Sequence, residues 1–407
     1  MRTTAEKTVL FVAYGSGHIK MLMPVAQALA TSGLARPVVL ALTTAAPAAR
    51  AAGLEVVQFK DFVAPADAPA LAHGRRLMSA LGAPVADAEE TIAYLGLSFA
   101  NLVAEVGLAQ AEENYLQKGR QAFLPVAILS RILKKIRPDV VVATNSPRAE
   151  RAAIVAAGQL GIPSVCVVDL FAIDEVQWIG DAHYADRVCV LNDSVRQFLI
   201  ASGRRAEQVV VTGNPGFDAL NDAAAIAQGR QLRAAQGWAD KRVVLWPNQV
   251  EPAVHPFDGR IGNPGLPAQA LGHLMDWVLS RHDVVLCIRA RAGEHAPVIA
   301  VDPRIVLTGQ DWPLAPLLHA ADMVVTLSST VGLEGHLAGC RLVQVLGSMF
   351  DTAMPLASYG IADEAVSLVP DQPFLQALNH WVRVPRRAAQ QPLPATGQVL
   401  GVIAGLL

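Results

Sequence analysis

Short apolar runs of strand length alternate with longer stretches whose apolar residues recur at helical spacing, the pattern of buried parallel strands covered by helices. In the first half the runs lie at 8–13, 37–42, 54–59, 139–143, 164–168, 187–191 and 208–212, with helical stretches between most of them, as at 19–31 and 148–160. Residues 61–137 break the alternation, being largely helical in pattern with no strong strand. They read as an insertion that covers or shapes a site. A second series follows Gly213-Asn214-Pro215-Gly216, with runs at 242–246, 283–288, 304–307, 322–327, 341–346 and 365–368. The Gly/Pro punctuation and the polar helix after it mark a hinge. The chain is therefore expected to be α/β, with two Rossmann-like, doubly wound parallel-sheet domains facing across a cleft and ligands at the carboxyl ends of the strands. The expected division is a first domain at 1–217, a linker at 218–240, a second domain at 241–385 and a tail at 386–407.

Composition sharpens this picture. Hydrophobic residues make up 52% of the 407 residues and aromatics only 5%, so the core is built from Ala, Val and Leu. Lys and Arg number 33 against 35 Asp and Glu, which implies no broad basic face and no nucleic-acid partner. The opening MRTTAEKTVLFVAYGSG lacks the apolar core of a signal peptide, and the uncharged end is broken by Pro392, Pro394 and Gly397, leaving VLGVIAGLL, too short to span a bilayer. A cytoplasmic location is expected. Cys166, Cys189, Cys287 and Cys340 are scattered and read as buried free thiols. His255, His273, His282 and His295 match no ligand spacing, so neither a metal nor a cofactor is expected. Arg383, Arg386 and Arg387, near Trp381, read as a solvated helix end with at most peripheral contact to anionic lipid. A homodimer is compatible with this sequence.

Candidate chemistry begins at Gly15-Ser16-Gly17-His18, between the first strand and its helix. Glycines there let a ligand approach the backbone, and a helix start favours an anion or a polar group. A dinucleotide fingerprint is excluded, because Lys20 stands where GxGxxG needs its third glycine and the second strand ends in Leu42-Thr43-Thr44 without an acid. His18 is the candidate catalytic base for a sugar hydroxyl or water. The alternative is a histidine that caps the helix or orients a ligand without moving a proton.

A second motif, Ser328-Ser329-Thr330, sits between an apolar strand and the helix expected at 331–338. Three hydroxyls there can cap the helix and hold a phosphate. With Thr330 as the cap, Glu334 lies four residues on, one too many for a capping box, and is expected to face the cleft and accept the hydroxyls of a ribose. Asn248 and Gln249 end the strand at 242–246 and can donate to phosphate. Arg289 and Arg291, at alternate positions where the next strand ends, suit a pyrophosphate. Asp169, Asp174 and Glu175 follow the strand at 164–168 and rank equally as an acid or base.

These residues resemble the GT-B glycosyltransferases and their relatives, the non-hydrolysing UDP-N-acetylglucosamine 2-epimerases. Gly17-His18-Ile19-Lys20-Met21 through Pro24 is similar to the first-helix segment of the epimerases. Val211-Thr212-Gly213-Asn214-Pro215 with Asp218 is similar to the TGN segment at the hinge of this group, which adds Asn214 to the binding residues. Ser328 through Glu334 resembles the donor motif of capsule and teichoic-acid type transferases, implying that Glu334 holds a ribose and the hydroxyls a phosphate. The Gly-x-Gly-His segment is also similar to that of UDP-sugar hydrolases, in which the histidine is the base. Where epimerases carry a Gly-Asp pair this chain has Thr144-Asn145-Ser146, and where they carry His-x-Glu-Ala-Gly it has Val167-Val168-Asp169-Leu170-Phe171. The resemblance thus implies a metal-independent glycosyltransferase of surface polysaccharide or glycoconjugate synthesis. Its donor would be a UDP- or CMP/CDP-linked sugar, its acceptor a saccharide or other hydroxyl, and His18 its base. A 2-epimerase, a nucleotide-sugar hydrolase or a non-catalytic sugar-nucleotide-binding protein are the alternatives.

Overall fold

The computed structural model describes residues 6–15, 17–81, 87–255, 259–290, 302–309, 311–388 and 394–407. Ser16 and Arg291 lie outside the described residues. The chain divides into two compact units, Met1–Gly216 with Pro392–Leu407, and Phe217–Gln391.

The first unit is built on β1 (Thr8–Ala13), β2 (Arg36–Ala41), β3 (Glu55–Val57), β4 (Val140–Thr144), β5 (Ser164–Val167), β6 (Arg187–Val190) and β7 (Val209–Val211). All pair in parallel in the order β3-β2-β1-β4-β5-β6-β7. Every residue of β1 is buried, because helices cover both faces of the sheet. The helices are α1 (Gly17–Ser32), α2 (Ala45–Ala51), α3 (Ala68–Ala80), α4 (Ala88–Val106), α5 (Leu108–Lys118), α6 (Val126–Ile136), α7 (Ala149–Leu160), α8 (Val176–Ile179) and α9 (Asp193–Ala201). Phe11, Leu22 and Leu29 anchor one side of the core, and Val399 and Ile403 from the far end of the sequence join them. The segment set apart as a tail therefore contains a structural helix of the first unit.

The insertion is α3 to α6. Its first two helices cross at two glycines: a Cβ on Gly74 would fall 2.1 Å from the Ile92 carbonyl oxygen, and one on Gly96 would fall 2.3 Å from that of Ala70. Only hydrogen fits at such a crossing. Gly96→Ala is expected to force the pair apart at a cost of about 1–3 kcal/mol, the usual range for overpacking. Thermal unfolding checks this, and an unchanged melting temperature would refute the close crossing. Arg131 of α6 ties the insertion down through a two-pronged pair with Asp67, at 2.5 and 3.0 Å.

The second unit opens with α10 (Ala223–Ala235), followed by β8 (Arg242–Pro247), α11 (Leu266–Leu279), β9 (Val284–Arg289), β10 (Ile305–Thr308), α12 (Leu314–Ala320), β11 (Met323–Thr326), α13 (Thr330–Leu337), β12 (Arg341–Leu346), β13 (Glu364–Ser367) and α14 (Gln372–Trp381). Helix α15 (Ala395–Ala404) is the one that returns to the first unit. The six strands are again parallel, in the order β10-β9-β8-β11-β12-β13. Trp246, Leu274 and Phe374 fill the core. The stretch read as a linker is mostly α10, which packs on α12 at Gly229 and is fixed by Arg233, whose guanidinium reaches Asp322 at 2.9 Å. Ala and Gly on its inner face let it approach so closely, which is why a helix of polar sequence belongs to the unit's body.

Candidate functional site

In an open parallel sheet the loops part where the strand order turns, and a crevice forms beyond the strand ends there. The turn lies between β1 and β4 in the first unit and between β8 and β11 in the second. The sequence-predicted residues His18, Gln249 and Ser328 stand at these two places.

At the first crevice, Gly15 and Gly17 have different reasons to be glycine. A Cβ on Gly15 would fall 1.9 Å from Thr44 Oγ1, so this position serves the close approach of the β2–α2 loop. A Cβ on Gly17 would meet nothing within 4 Å, leaving the start of α1 open. His18 keeps 27% of its side chain exposed and turns Nδ1 inward to Thr144 Oγ1, at 2.7 Å. Nδ1 is also 4.0 Å from Oε1 of Glu150, a carboxyl with no exposure at all. Glu150 stands in the first turn of α7 and accepts the Tyr14 backbone N–H at 2.9 Å. Burial pushes its carboxyl above the ordinary value, and His18, the Tyr14 N–H and the Thr144 and Ser146 hydroxyls pull it back down. In the tautomer whose Nδ1–H donates to Thr144, with the Thr144 hydroxyl facing Glu150, Nε2 is the nitrogen left to receive a proton. The imidazolium so formed would be stabilised by the buried carboxylate.

The insertion reaches this place. Tyr94 of α4 and Tyr14 share a buried hydroxyl–hydroxyl bond of 2.7 Å, with their rings edge to face. On the other side, Asn145 donates to Asp169 Oδ1 at 2.9 Å and its oxygen accepts the Asp169 N–H at 3.0 Å. Of the three acids that the sequence could not rank, Glu175 now stands apart. Burial first, then the charge of Asp169, raises its carboxyl to about 7, with an Asn145 hydrogen bond opposing them. Asn214 is held by the chain itself: its amide donates to the Asp169 carbonyl at 2.7 Å and its oxygen accepts the Gly216 N–H at 2.8 Å. Both ends of that side chain hold the loop where the first unit ends.

At the second crevice, Gln249 Oε1 accepts the Ser328 N–H at 3.0 Å, joining the loop after β8 to the loop after β11. Gln249 Nε2 is buried and has no hydrogen-bond partner among the described residues, so two N–H donors remain at this junction. The helix cap is Ser329, not Thr330: its Oγ accepts the Val331 N–H at 3.3 Å. Glu334 is thus five residues beyond the cap and one turn after Thr330. The exposed Thr330 and the half-buried Glu334 share a face of α13. Arg289 turns Nη1 to the carbonyls of Trp312 and Gly309, at 2.6 and 3.4 Å. Burial lowers its pKa, and the nearby charges of Glu334 and Asp311 act in the opposite direction. Asn248 continues the β8–β9 pairing through its backbone N–H to Arg289 O, at 2.9 Å. The Ser328 hydroxyl lies 3.5 Å from that of Ser348, which donates to the buried Glu251 at 2.8 Å.

No family model matches the chain, and no curated protein matches it. Solved structures do. The UDP-GlcNAc 2-epimerase from Methanocaldococcus jannaschii superposes with a TM-score of 0.59 at 11% identity, covering 98% of this chain and 99% of that one. The enzyme of the same name from Neisseria meningitidis, bound to UDP-GlcNAc, gives 0.57 at 13% identity over 98% and 100%. The glycotransferase of kitacinnamycin gives 0.57 at 16% over 99% and 100%. The chain has the GT-B fold. Within this GT-B chain Glu150 and Thr144 are the residues of the candidate site that sequence reasoning missed. Position was the available signal, since the first turn of the helix after 139–143 holds one carboxylate, but the β1–β4 adjacency that gives it meaning is not legible in an apolar pattern. Arg386 and Arg387 are not the solvated helix end expected from the sequence: Arg386 donates to the carbonyls of Leu318, His319, Ala321 and Ala338, and Arg387 pairs with Asp363. Among the described residues no group of three His, Cys, Asp or Glu is placed to hold a metal, and no helix is long and apolar enough to cross a membrane.

Proposed function

We propose that this chain is a glycosyltransferase that moves a sugar from a nucleotide-sugar donor to a hydroxyl acceptor, with His18 as the general base. The observation that carries the reading is the His18–Thr144–Glu150 relay at the crevice of the first sheet. A base oriented through one nitrogen and backed by a buried carboxylate is suited to taking a proton from a hydroxyl at the other nitrogen. The second unit then holds the nucleotide diphosphate. The Gln249 amide and the start of α13 meet the phosphates, and Glu334 accepts the ribose hydroxyls. Charge developing on the departing diphosphate is met by these fixed donors. The UDP-GlcNAc bound to the Neisseria enzyme and the transferase of kitacinnamycin support this class of donor and reaction on the same fold.

Binding is tested by a thermal-shift panel of UDP, CDP, CMP, GDP and TDP with their sugars. One nucleoside diphosphate and its sugars are expected to raise the melting temperature well above the rest. A flat panel would remove the donor site from the second unit.

A second reading, a 2-epimerase, is favoured by one observation. Glu175, with its carboxyl raised to about 7, stands beside Asn145 and can hold or release a proton near neutrality. Epimerisation needs such a group to remove or return a proton at carbon. The two readings part on whether the donor changes in the absence of an acceptor.

A further inference from the structure

The cations buried or half-buried in the first unit mostly have evident partners. Arg131 is forked onto Asp67, and Arg204 is held by the carbonyls of Ile179, Asp181 and Ala185. Arg148 differs. It closes the β4–α7 loop four residues after Thr144 and two before Glu150, and it is half-buried. Its guanidinium carbon stands 4.6 Å from the centroid of the Tyr14 ring. Tyr14 in turn gives its N–H to Glu150, the carboxylate behind His18. Among the described residues this guanidinium has no ion pair and donates no hydrogen bond, and its Nε is buried without a partner.

Stacking on an aromatic face holds a guanidinium in place but leaves its in-plane donors unused. A fixed planar fork of N–H groups matches an oxyanion, which takes two of them at once. The ring of Tyr14 is itself fixed, because its hydroxyl is bonded to Tyr94. The fork is therefore set in place beside the crevice that holds His18, at the turn of the strand order.

We propose that Arg148 receives an oxyanion carried by the acceptor, so that the acceptor is a molecule bearing a carboxylate or a phosphate near its reacting hydroxyl. This rests on the reading of the first unit as the acceptor side. It goes beyond that reading by assigning a charge to the acceptor and a residue that selects for it. Neutral sugars lacking the anion would leave the guanidinium unpaired, and discrimination against them would follow from that loss.

The test uses the full chain, the variants Arg148→Gln and Arg148→Lys, and inorganic phosphate and acetate as probes. The imidazole resonances of His18 are followed by NMR, assigned by their loss in His18→Ala. In the wild type one of the two anions shifts these resonances in a saturable way, and the anion that does so at the lower concentration names the group. Arg148→Gln is expected to weaken that response at least tenfold. Arg148→Lys retains a charge over Tyr14 but not the fork, and is expected to recover only part of it. Should Gln disturb the Tyr14 stack, the Lys variant still decides the matter. UDP affinity is measured in parallel and is expected to be the same in wild type and both variants. An unchanged His18 signal with both anions, or an equal response in wild type and Arg148→Gln, would overturn the proposal. So would a tenfold loss of UDP affinity in Arg148→Gln, since the guanidinium would then serve the donor. If the wild type binds no nucleotide at all, the donor reading fails, while the anion response at His18 stands or falls by itself.

Discussion

His18→Ala is expected to lower turnover by about two to four powers of ten, the usual contribution of a positioned general base. Donor binding is expected to persist, because the donor contacts are proposed to lie in the second unit. Glu150→Gln keeps the shape of the buried side chain but removes the carboxylate that faces the Thr144 hydroxyl and lies 4.0 Å from His18. Its expected loss is smaller, about ten- to a hundredfold, because His18 retains its Thr144 bond while the imidazolium loses its counter-charge. Steady-state rates at saturating donor check both. Turnover in His18→Ala within threefold of wild type would remove the histidine from catalysis and leave it as a helix-start residue.

The second large effect is on nucleotide affinity. Glu334→Ala removes the carboxylate assigned to the ribose and is expected to weaken nucleotide binding by about 1–3 kcal/mol, or roughly five- to 150-fold. Gln249→Ala removes both the bond that joins the two loops at Ser328 N–H and the unpartnered amide beside it. Its expected loss is of the same order. Calorimetry with the nucleotide chosen by the thermal-shift panel measures both, and circular dichroism confirms that the fold is retained. Unchanged affinity in Glu334→Ala would remove that side chain from the proposed donor site.

The sheets were legible because parallel strands covered on both faces leave near-continuous apolar runs, and β1 and β12 match their runs residue for residue. The edge strand β3 is shorter than its run at 54–59. Phe59 instead begins a tight turn in which Asp61 accepts the Gln58 N–H at 2.8 Å, and a local hydrogen bond of that kind leaves no trace in hydrophobicity. The place of the candidate site was legible where glycine or hydroxyl chemistry marks a strand-to-helix junction, as at Gly17 and Ser328. It was not legible where meaning depends on which strands are neighbours. Glu150 looks like an ordinary first-turn acid of an Ala-rich helix until β4 is seen beside β1. The bond from Asn214 to the Asp169 carbonyl likewise cannot be read from the sequence around either residue. The cap of α13 was misplaced by one residue because Ser329 and Thr330 are chemically equivalent as caps, and only the bond from Val331 N–H separates them.

The central claim is transfer to an acceptor hydroxyl driven by the His18 relay, and its most direct test is the fate of the donor in the presence and absence of acceptor. The nucleotide sugar that binds most tightly is incubated with the full chain and followed by NMR, first alone and then with a panel of carboxylate- or phosphate-bearing hydroxyl compounds and their neutral analogues. The account predicts a donor that stays intact when alone and is consumed, with release of the nucleotide, only when an acceptor is added. A new sugar signal without acceptor would show epimerisation, and free sugar or sugar phosphate would show hydrolysis. Either conversion at enzymatic rates would contradict the transferase account.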